Sequence, residues 1–170
     1  FHAKPPAKLP QGDQLGDIED TVLPMLDQHG LKRYEVSAFA QPGHACAHNT
    51  NYWQFGDYIG IGAGAHGKLT TESGILRTWK HRHPKAYLST QPDTKEHAFW
   101  QGSRMLLPED LPLEFCMNAL RLTNGFSIQD FENRTGLLYQ DIEPVVTTLA
   151  AENLLETTLE HVHTTPQGLC

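Results

Sequence analysis

Apolar residues recur three or four apart at Leu15, Ile18, Val22, Met25 and Leu26. That spacing predicts one helical face over Asp13 to His29, stopped by Gly30. Pro24 falls inside the span, where its missing N–H predicts a kink or an early break. The period then shortens to two over Tyr34-Glu-Val-Ser-Ala-Phe-Ala40, the alternation of a strand. The polar run from Gln41 to Asn51 predicts a loop, and Tyr58-Ile-Gly-Ile-Gly62 a short buried strand. Lys68 to Thr71 and Ile75 to Lys80, on either side of Glu72-Ser-Gly74, predict a hairpin. Asp93 to Leu107 predicts a helix. A helix, strand, loop and strand in that order fit the last turns of an α/β barrel or sheet.

The pattern changes beyond Leu107-Pro-Glu-Asp-Leu-Pro112, which reads as a linker. Leu113 to Leu122 predicts a helix ended by Asn124-Gly125. Ser127, with Asp130 three residues on, predicts an N-cap that opens a short helix to Arg134. Tyr139 to Glu152 predicts another helix, with Pro144 in its first turn or bending it. Leu154 to Val162 and the residues after Thr164 predict two short strands. Two helices and a β-wing make a winged-helix layout, so the expected domains are 1–108 and 109–170.

Charge sharpens that division. Residues 1–108 hold 11 Lys/Arg and 10 Asp/Glu, a net +1, whereas residues 109–170 hold 2 and 10, a net −8. Winged helices often bind DNA, but a surface of that sign repels a polyanion, so no nucleic-acid partner is expected. With 39% hydrophobic residues, 14 Gly and 11 Pro in 170 positions, the composition excludes a disordered or low-complexity chain. No run approaches the roughly 20 apolar residues that span a bilayer, and no basic-then-apolar start suggests a secretory signal. Cys46, Cys116 and Cys170 are too few and too scattered for a disulfide scaffold or a cysteine-only metal site. The expected compartment is the cytoplasm. A start at Phe1 and a stop just after Gly168-Leu169 suggest a piece of a longer protein.

Six of the ten histidines lie between His44 and His97, which concentrates any chemistry there. The densest group is Gly43-His-Ala-Cys46-Ala-His48-Asn49-Thr-Asn-Tyr52-Trp53. A neutral imidazole ligates iron or zinc, a thiolate two residues away is a second donor, and Tyr52 and Trp53 offer flat area for a planar macrocycle. A surface loop whose polar side chains satisfy the backbone, with Trp53 anchoring it, accounts for the same residues. Zinc lacks two further ligands at the usual spacing, and covalent heme lacks the cysteine pair before a histidine.

A second group, Gly60-Ile-Gly62-Ala-Gly64-Ala65-His66-Gly67, contains a literal GxGxxG. No helix is expected to open there, and no acid follows at the distance a dinucleotide site needs. Its glycines serve either a ligand brought close to the backbone or tight packing at a strand end. A third group, Arg77-Thr-Trp79-Lys80-His81-Arg82-His83, would place Arg77, Trp79, His81 and His83 on one hairpin face. It suits carboxylate groups or a solvated edge strand.

The first two groups and their surroundings closely resemble one family. Tyr34 to Ala40, Pro42-Gly43, Cys46, His48-Asn49-Thr-Asn-Tyr52-Trp53 and Phe55-Gly-Asp-Tyr-Ile-Gly-Ile-Gly62-Ala-Gly-Ala-His66-Gly-Lys68 are similar to the oxygen-independent coproporphyrinogen III oxidase-like radical SAM proteins. Within these, the likeness is to the HemW-type heme chaperone branch. Arg77-Thr, Arg82-His-Pro84 and Glu114-Phe-Cys-Met-Asn-Ala-Leu-Arg-Leu122 match as well. The resemblance implies an α/β fold, the C-terminal part of an incomplete (β/α) barrel followed by a small winged-helix-like domain. It also implies heme, a [4Fe-4S] cluster and S-adenosylmethionine in the full-length protein, although the cluster's CxxxCxxC motif is absent from this chain. His48 is then expected as axial ligand to heme iron, with Asn49, Tyr52 and Trp53 completing the heme site. Gly62, Gly64, Ala65 and His66 are expected to line the S-adenosylmethionine pocket. The implied function is binding heme and passing it to apo-hemoproteins, the alternative being radical decarboxylation of coproporphyrinogen III. No residue of this chain is expected to be catalytic.

Overall fold

In the computed structural model, residues 9–10, 12–90 and 99–169 are described. The chain divides into two compact units, Phe1–Cys46 and Ala47–Cys170.

In the first unit, helix α1 (Asp13–Gln28) runs through Pro24 unbroken. Gly30 follows with a left-handed backbone, φ 75°, and ends it. The stretch expected as one strand is a hairpin of β1 (Lys32–Glu35) and β2 (Ala38–Ala40). The reversal at Val36-Ser37 is held by the Glu35 carboxylate, which accepts the Ser37 N–H at 3.1 Å. A side-chain oxygen that satisfies the backbone two residues on favours a turn over continued alternation.

The second unit opens on α2 (Ala47–Trp53), where a polar loop was expected. Helix propensity in Ala-His-Asn-Thr-Asn-Tyr-Trp is poor, so its ending must come from elsewhere. The Phe55 N–H donates to Tyr52 O (3.0 Å) and the Gly56 N–H to Asn51 O (2.7 Å), while Phe55 sits at φ 57°. Those two bonds around a left-handed residue form a Schellman cap, with Phe in the place usually taken by Gly. Ring burial holds that conformation, since Phe55 is 1% exposed.

Strands β3 (His66–Thr71) and β4 (Gly74–Lys80) form the expected hairpin, His66 opposite Trp79 and Thr71 opposite Gly74. The segment from Tyr58 to Gly62 is not a buried strand: only Tyr58 pairs, with Lys68, and Ile59 and Ile61 are 75% and 86% exposed. Of the helix expected over Asp93 to Leu107, residues 93–98 lie outside the described residues. The remainder forms β5 (Trp100–Met105), antiparallel to β4. Gly102 disfavours a helix and fits this strand, because a Cβ there would lie 2.4 Å from the Trp79 ring. Short helix α3 (Pro84–Ser89) is capped by His83, so His81 and His83 leave the hairpin and do not share a strand face with Arg77 and Trp79.

Helices α4 (Leu111–Ala119), α5 (Ile128–Thr135) and α6 (Glu143–Ala151) follow the expected order. Ser127 caps α5 by accepting the Asp130 N–H at 3.0 Å, and Pro144 sits in the first turn of α6. Tyr139–Asp141 is a separate 3-10 turn. The wing has three strands, not two: β6 (Phe126–Ser127), β7 (Leu155–Thr157) and β8 (His161–Thr164), in the order β6-β8-β7. Phe115 of α4 meets Phe55, Phe126 and Phe131 edge-on, with centroids 5.6, 5.0 and 5.3 Å away. Each such pair adds about 0.5–1.5 kcal/mol beyond its buried area. The residue that ends α2 is thereby locked into the core that also contains Ile75, Leu106 and Val162.

Candidate functional site

Helix α2 presents the His48-Asn49-x-x-Tyr52-Trp53 residues. His48 and Tyr52 are four apart, so they share a helix face, and their rings meet edge-on at 4.8 Å. The His48 imidazole is exposed, and among the described residues no hydrogen bond to its ring is recorded. Tyr52 is half-buried and packs on Tyr58 at 4.1 Å with the rings tilted by 32°. Burial, then the neighbouring Tyr58, pushes the Tyr52 phenol above its ordinary value. Trp53 turns inward: the Arg121 guanidinium covers its ring at 4.3 Å, and its buried indole N–H has no hydrogen-bond partner among the described residues. Asn49 is half-buried, and Asn51 closes the following turn by donating to Asp57 O at 2.9 Å. The motif is thus a short helix with an exposed imidazole at one end and an aromatic anchor at the other.

A buried ionic group holds the floor beneath α2. Lys68, 2% exposed, donates to Phe55 O (2.8 Å) and Asp57 Oδ1 (2.9 Å), with its ammonium 4.3 Å from the Phe55 ring centre. Asp57 also accepts the N–H and hydroxyl of Thr70, each at 2.8 Å. Burial pushes the Lys68 ammonium below its ordinary pKa despite Asp57. Burial would raise Asp57, but the Thr70 and Lys68 hydrogen bonds outweigh it and hold the carboxyl low. Above this group, Arg77 donates to the Tyr58 hydroxyl at 2.8 Å and pairs with Glu114 of α4. Asp57, Tyr58, Lys68 and Glu114 carried no site signal in the sequence. A lysine in an apolar–polar strand reads as solvated, and only the fold places it on a backbone carbonyl.

The glycine-rich segment forms a second feature. A Cβ at Gly60 would lie 2.2 Å from His66 O, and one at Gly67 2.6 Å from the Thr78 hydroxyl, so tight chain packing accounts for both. Gly62 and Gly64 are left-handed, with φ 100° and 72°, and a Cβ at Gly62 would meet nothing within 4 Å. The loop is pinned by Gly64 N–H to His81 O (2.8 Å) and Lys80 N–H to Ala65 O (2.9 Å). Ala63, between Gly62 and Gly64, is exposed, those two glycines are half-buried, and exposed His66 opens β3 beside them. Among the described residues no group of three or more His, Cys, Asp or Glu side chains is placed to hold a metal ion. No described helix is long and apolar enough to cross a membrane.

Residues 106–170 match the family model of the HemN C-terminal domain. The protein named heme chaperone HemW in Escherichia coli is 39% identical over 169 residues, which cover 99% of this chain and 43% of that protein. The protein of that name in Haemophilus influenzae is 44% identical over 138 residues, covering 81% and 34%. The chain belongs to the HemN and HemW family. The Bacillus subtilis protein named heme chaperone HemW is 30% identical over 94% of this chain and 41% of its own length. The chain therefore spans less than half the length of these curated relatives. A solved structure of coproporphyrinogen III oxidase (HemN) from Escherichia coli, described as a radical SAM enzyme, superposes with a TM-score of 0.67. That match covers 96% of this chain and 40% of that one at 17% identity, and it shows the shared fold.

Proposed function

We propose that the chain is the C-terminal part of a heme chaperone that holds heme at α2 and passes it to apo-hemoproteins. The observation that carries this is His48, an exposed imidazole with no recorded ring hydrogen bond, backed edge-on by Tyr52 on a capped helix. A histidine ligand to iron must offer a ring nitrogen that the metal can reach, and the exposed ring of His48, backed by Tyr52, can be reached from solvent. The cargo's iron would be taken by a His48 ring nitrogen, and its apolar plane would lie against Tyr52 and the Asn49 side of the helix. Trp53 serves by fixing α2 to the turn that follows α4, through Arg121. Support also comes from the relatives named heme chaperone HemW.

In the whole protein a [4Fe-4S] cluster and S-adenosylmethionine are expected. The cluster's cysteine motif is not in this chain. The left-handed, half-buried glycines Gly62 and Gly64, with Ala65 and His66, suit a small ligand drawn close to the main chain. When bound, S-adenosylmethionine supplies radical chemistry. The domain division at residues 108 and 109 and a cytoplasmic location belong to the same proposal.

The test uses the full-length protein in two anaerobic assays. Loaded with hemin and mixed with an apo-hemoprotein, it should transfer heme, read from the acceptor's Soret band. Given coproporphyrinogen III, S-adenosylmethionine and a reductant, it should form no protoporphyrinogen. Robust decarboxylation without heme transfer would overturn the proposal in favour of the oxidase.

A further inference from the structure

An exposed imidazole is a poor ligand unless something holds it, because an ion captured by a freely rotating side chain must first order that side chain. Ligating histidines are usually oriented by a hydrogen bond from the second ring nitrogen to a carboxylate or carbonyl. Among the described residues no such bond to the His48 ring is recorded, and its ring contact is with Tyr52. The orientation of Tyr52 therefore sets that of His48, and Tyr52 is stacked on Tyr58.

Tyr58 is fixed at both ends. Its backbone pairs with Lys68 in both directions, N–H to Lys68 O at 2.9 Å and O from Lys68 N–H at 3.0 Å. Its hydroxyl accepts from Arg77 Nη1 at 2.8 Å. The second arm of the guanidinium is taken by Glu114 Oε2, and Arg104 approaches Glu114 Oε1 at 3.6 Å. The Arg77 and Glu114 side chains are 21% and 25% exposed, well short of a freely solvated surface pair. Water screens such a pair less than an open one, and the planar guanidinium, with one arm on Tyr58 and the other on Glu114, fixes direction as well as distance.

We infer that the Arg77–Glu114 pair is the positioning device of the His48 site: α4 fixes Arg77, Arg77 fixes Tyr58, and the Tyr58–Tyr52 stack fixes the imidazole. The inference rests on the heme proposal for its ligand but not for its geometry. It gives α4 a part in heme affinity through Glu114, which acts at a distance from the imidazole by way of Arg77 and the two tyrosines. Arg77 and Glu114 are positioning residues, acting through the two tyrosines.

The experiment uses full-length protein with His48→Ala, Arg77→Gln, Arg77→Lys and Glu114→Gln variants. Each is titrated with hemin and followed by its Soret band, and the His48 ring-proton shifts are read by NMR without hemin. Glu114→Gln and Arg77→Gln should bind hemin about tenfold more weakly, the scale of coupling through contacting residues. Their bands should move toward that of His48→Ala. Their His48 shifts should lose the ring-current displacement that Tyr52 imposes. Arg77→Lys keeps the charge without the fork and should recover only part of the affinity. The carboxamide of Glu114→Gln leaves packing intact, so it decides the matter if the Arg77 variants do not fold. Wild-type affinity and unchanged His48 shifts in Glu114→Gln would overturn the inference. If wild-type protein shows no His48-dependent band, the heme proposal fails, and the ring-proton shifts alone then decide the positioning role.

Discussion

Replacing Lys68 by alanine tests the floor under α2. The side chain is 2% exposed, and its ammonium satisfies the carbonyl of Phe55, a left-handed residue that is itself 1% exposed. Removing the donor leaves that carbonyl unpaired at about 1–3 kcal/mol. Losing three buried methylenes costs about 2 kcal/mol more, and losing the contact with the Phe55 ring about 1 kcal/mol. Against this, alanine frees about 2 kcal/mol of side-chain entropy. Asp57, whose side chain is 41% exposed and keeps both Thr70 bonds, adds little to the loss. The balance is a destabilisation of about 3 kcal/mol, or about 6–12 °C in the unfolding midpoint for a protein of this size. Thermal and urea unfolding, followed by far-UV circular dichroism, measures it. Lys68→Met restores the apolar stem but also its side-chain entropy cost, so it should recover no more than about 1 kcal/mol. A Lys68→Ala midpoint within about 1 °C of wild type would refute the reasoning, because the cap of α2 would then stand without its buried donor.

Two further outcomes follow from the same geometry. Asp57 has a folded-state pKa below its unfolded value, so its contribution is present above about pH 4 and is lost as pH falls through the lowered value. The stability gap between wild type and Asp57→Asn, measured by urea unfolding, should therefore be largest at neutral pH and close below about pH 4. Burial pushes the Cys116 thiol up to about 11, whereas Cys46 is exposed. At pH 8 a maleimide should label Cys46 and leave Cys116 unmodified in the folded protein, as read by peptide mass mapping; labelling of both at equal rates would contradict that burial.

Elements with strong local signals were legible in the sequence. Helix α1, the β3–β4 hairpin, the Ser127 cap and the Pro144 first turn all follow from residues that act on their immediate neighbours. Where the sequence misled, a distant partner decided the outcome. Residues 47–53 are helical because Phe55, Gly56 and the core cap them, against weak propensity. Trp100–Met105 reads as part of a helix until β4 is placed beside it, with Trp79 over Gly102. Ile59 and Ile61 look like core residues, yet the chain leaves the sheet after Tyr58 and exposes them. The candidate site divides in the same way. His48, Tyr52 and Trp53 stand out as a local motif. Lys68, Asp57, Arg77 and Glu114 are joined only by the fold, across gaps of 11 and 37 residues, where no sequence period operates.

The central claim is that His48 on α2 takes the iron of a bound heme. It is met most directly by titrating full-length protein and its His48→Ala variant with hemin, followed at the Soret band. The account predicts a saturable, one-to-one spectral change in wild type that His48→Ala loses or shifts to a weaker, differently ligated form. Identical spectra and affinities in the two proteins would contradict it and return α2 to a purely structural role.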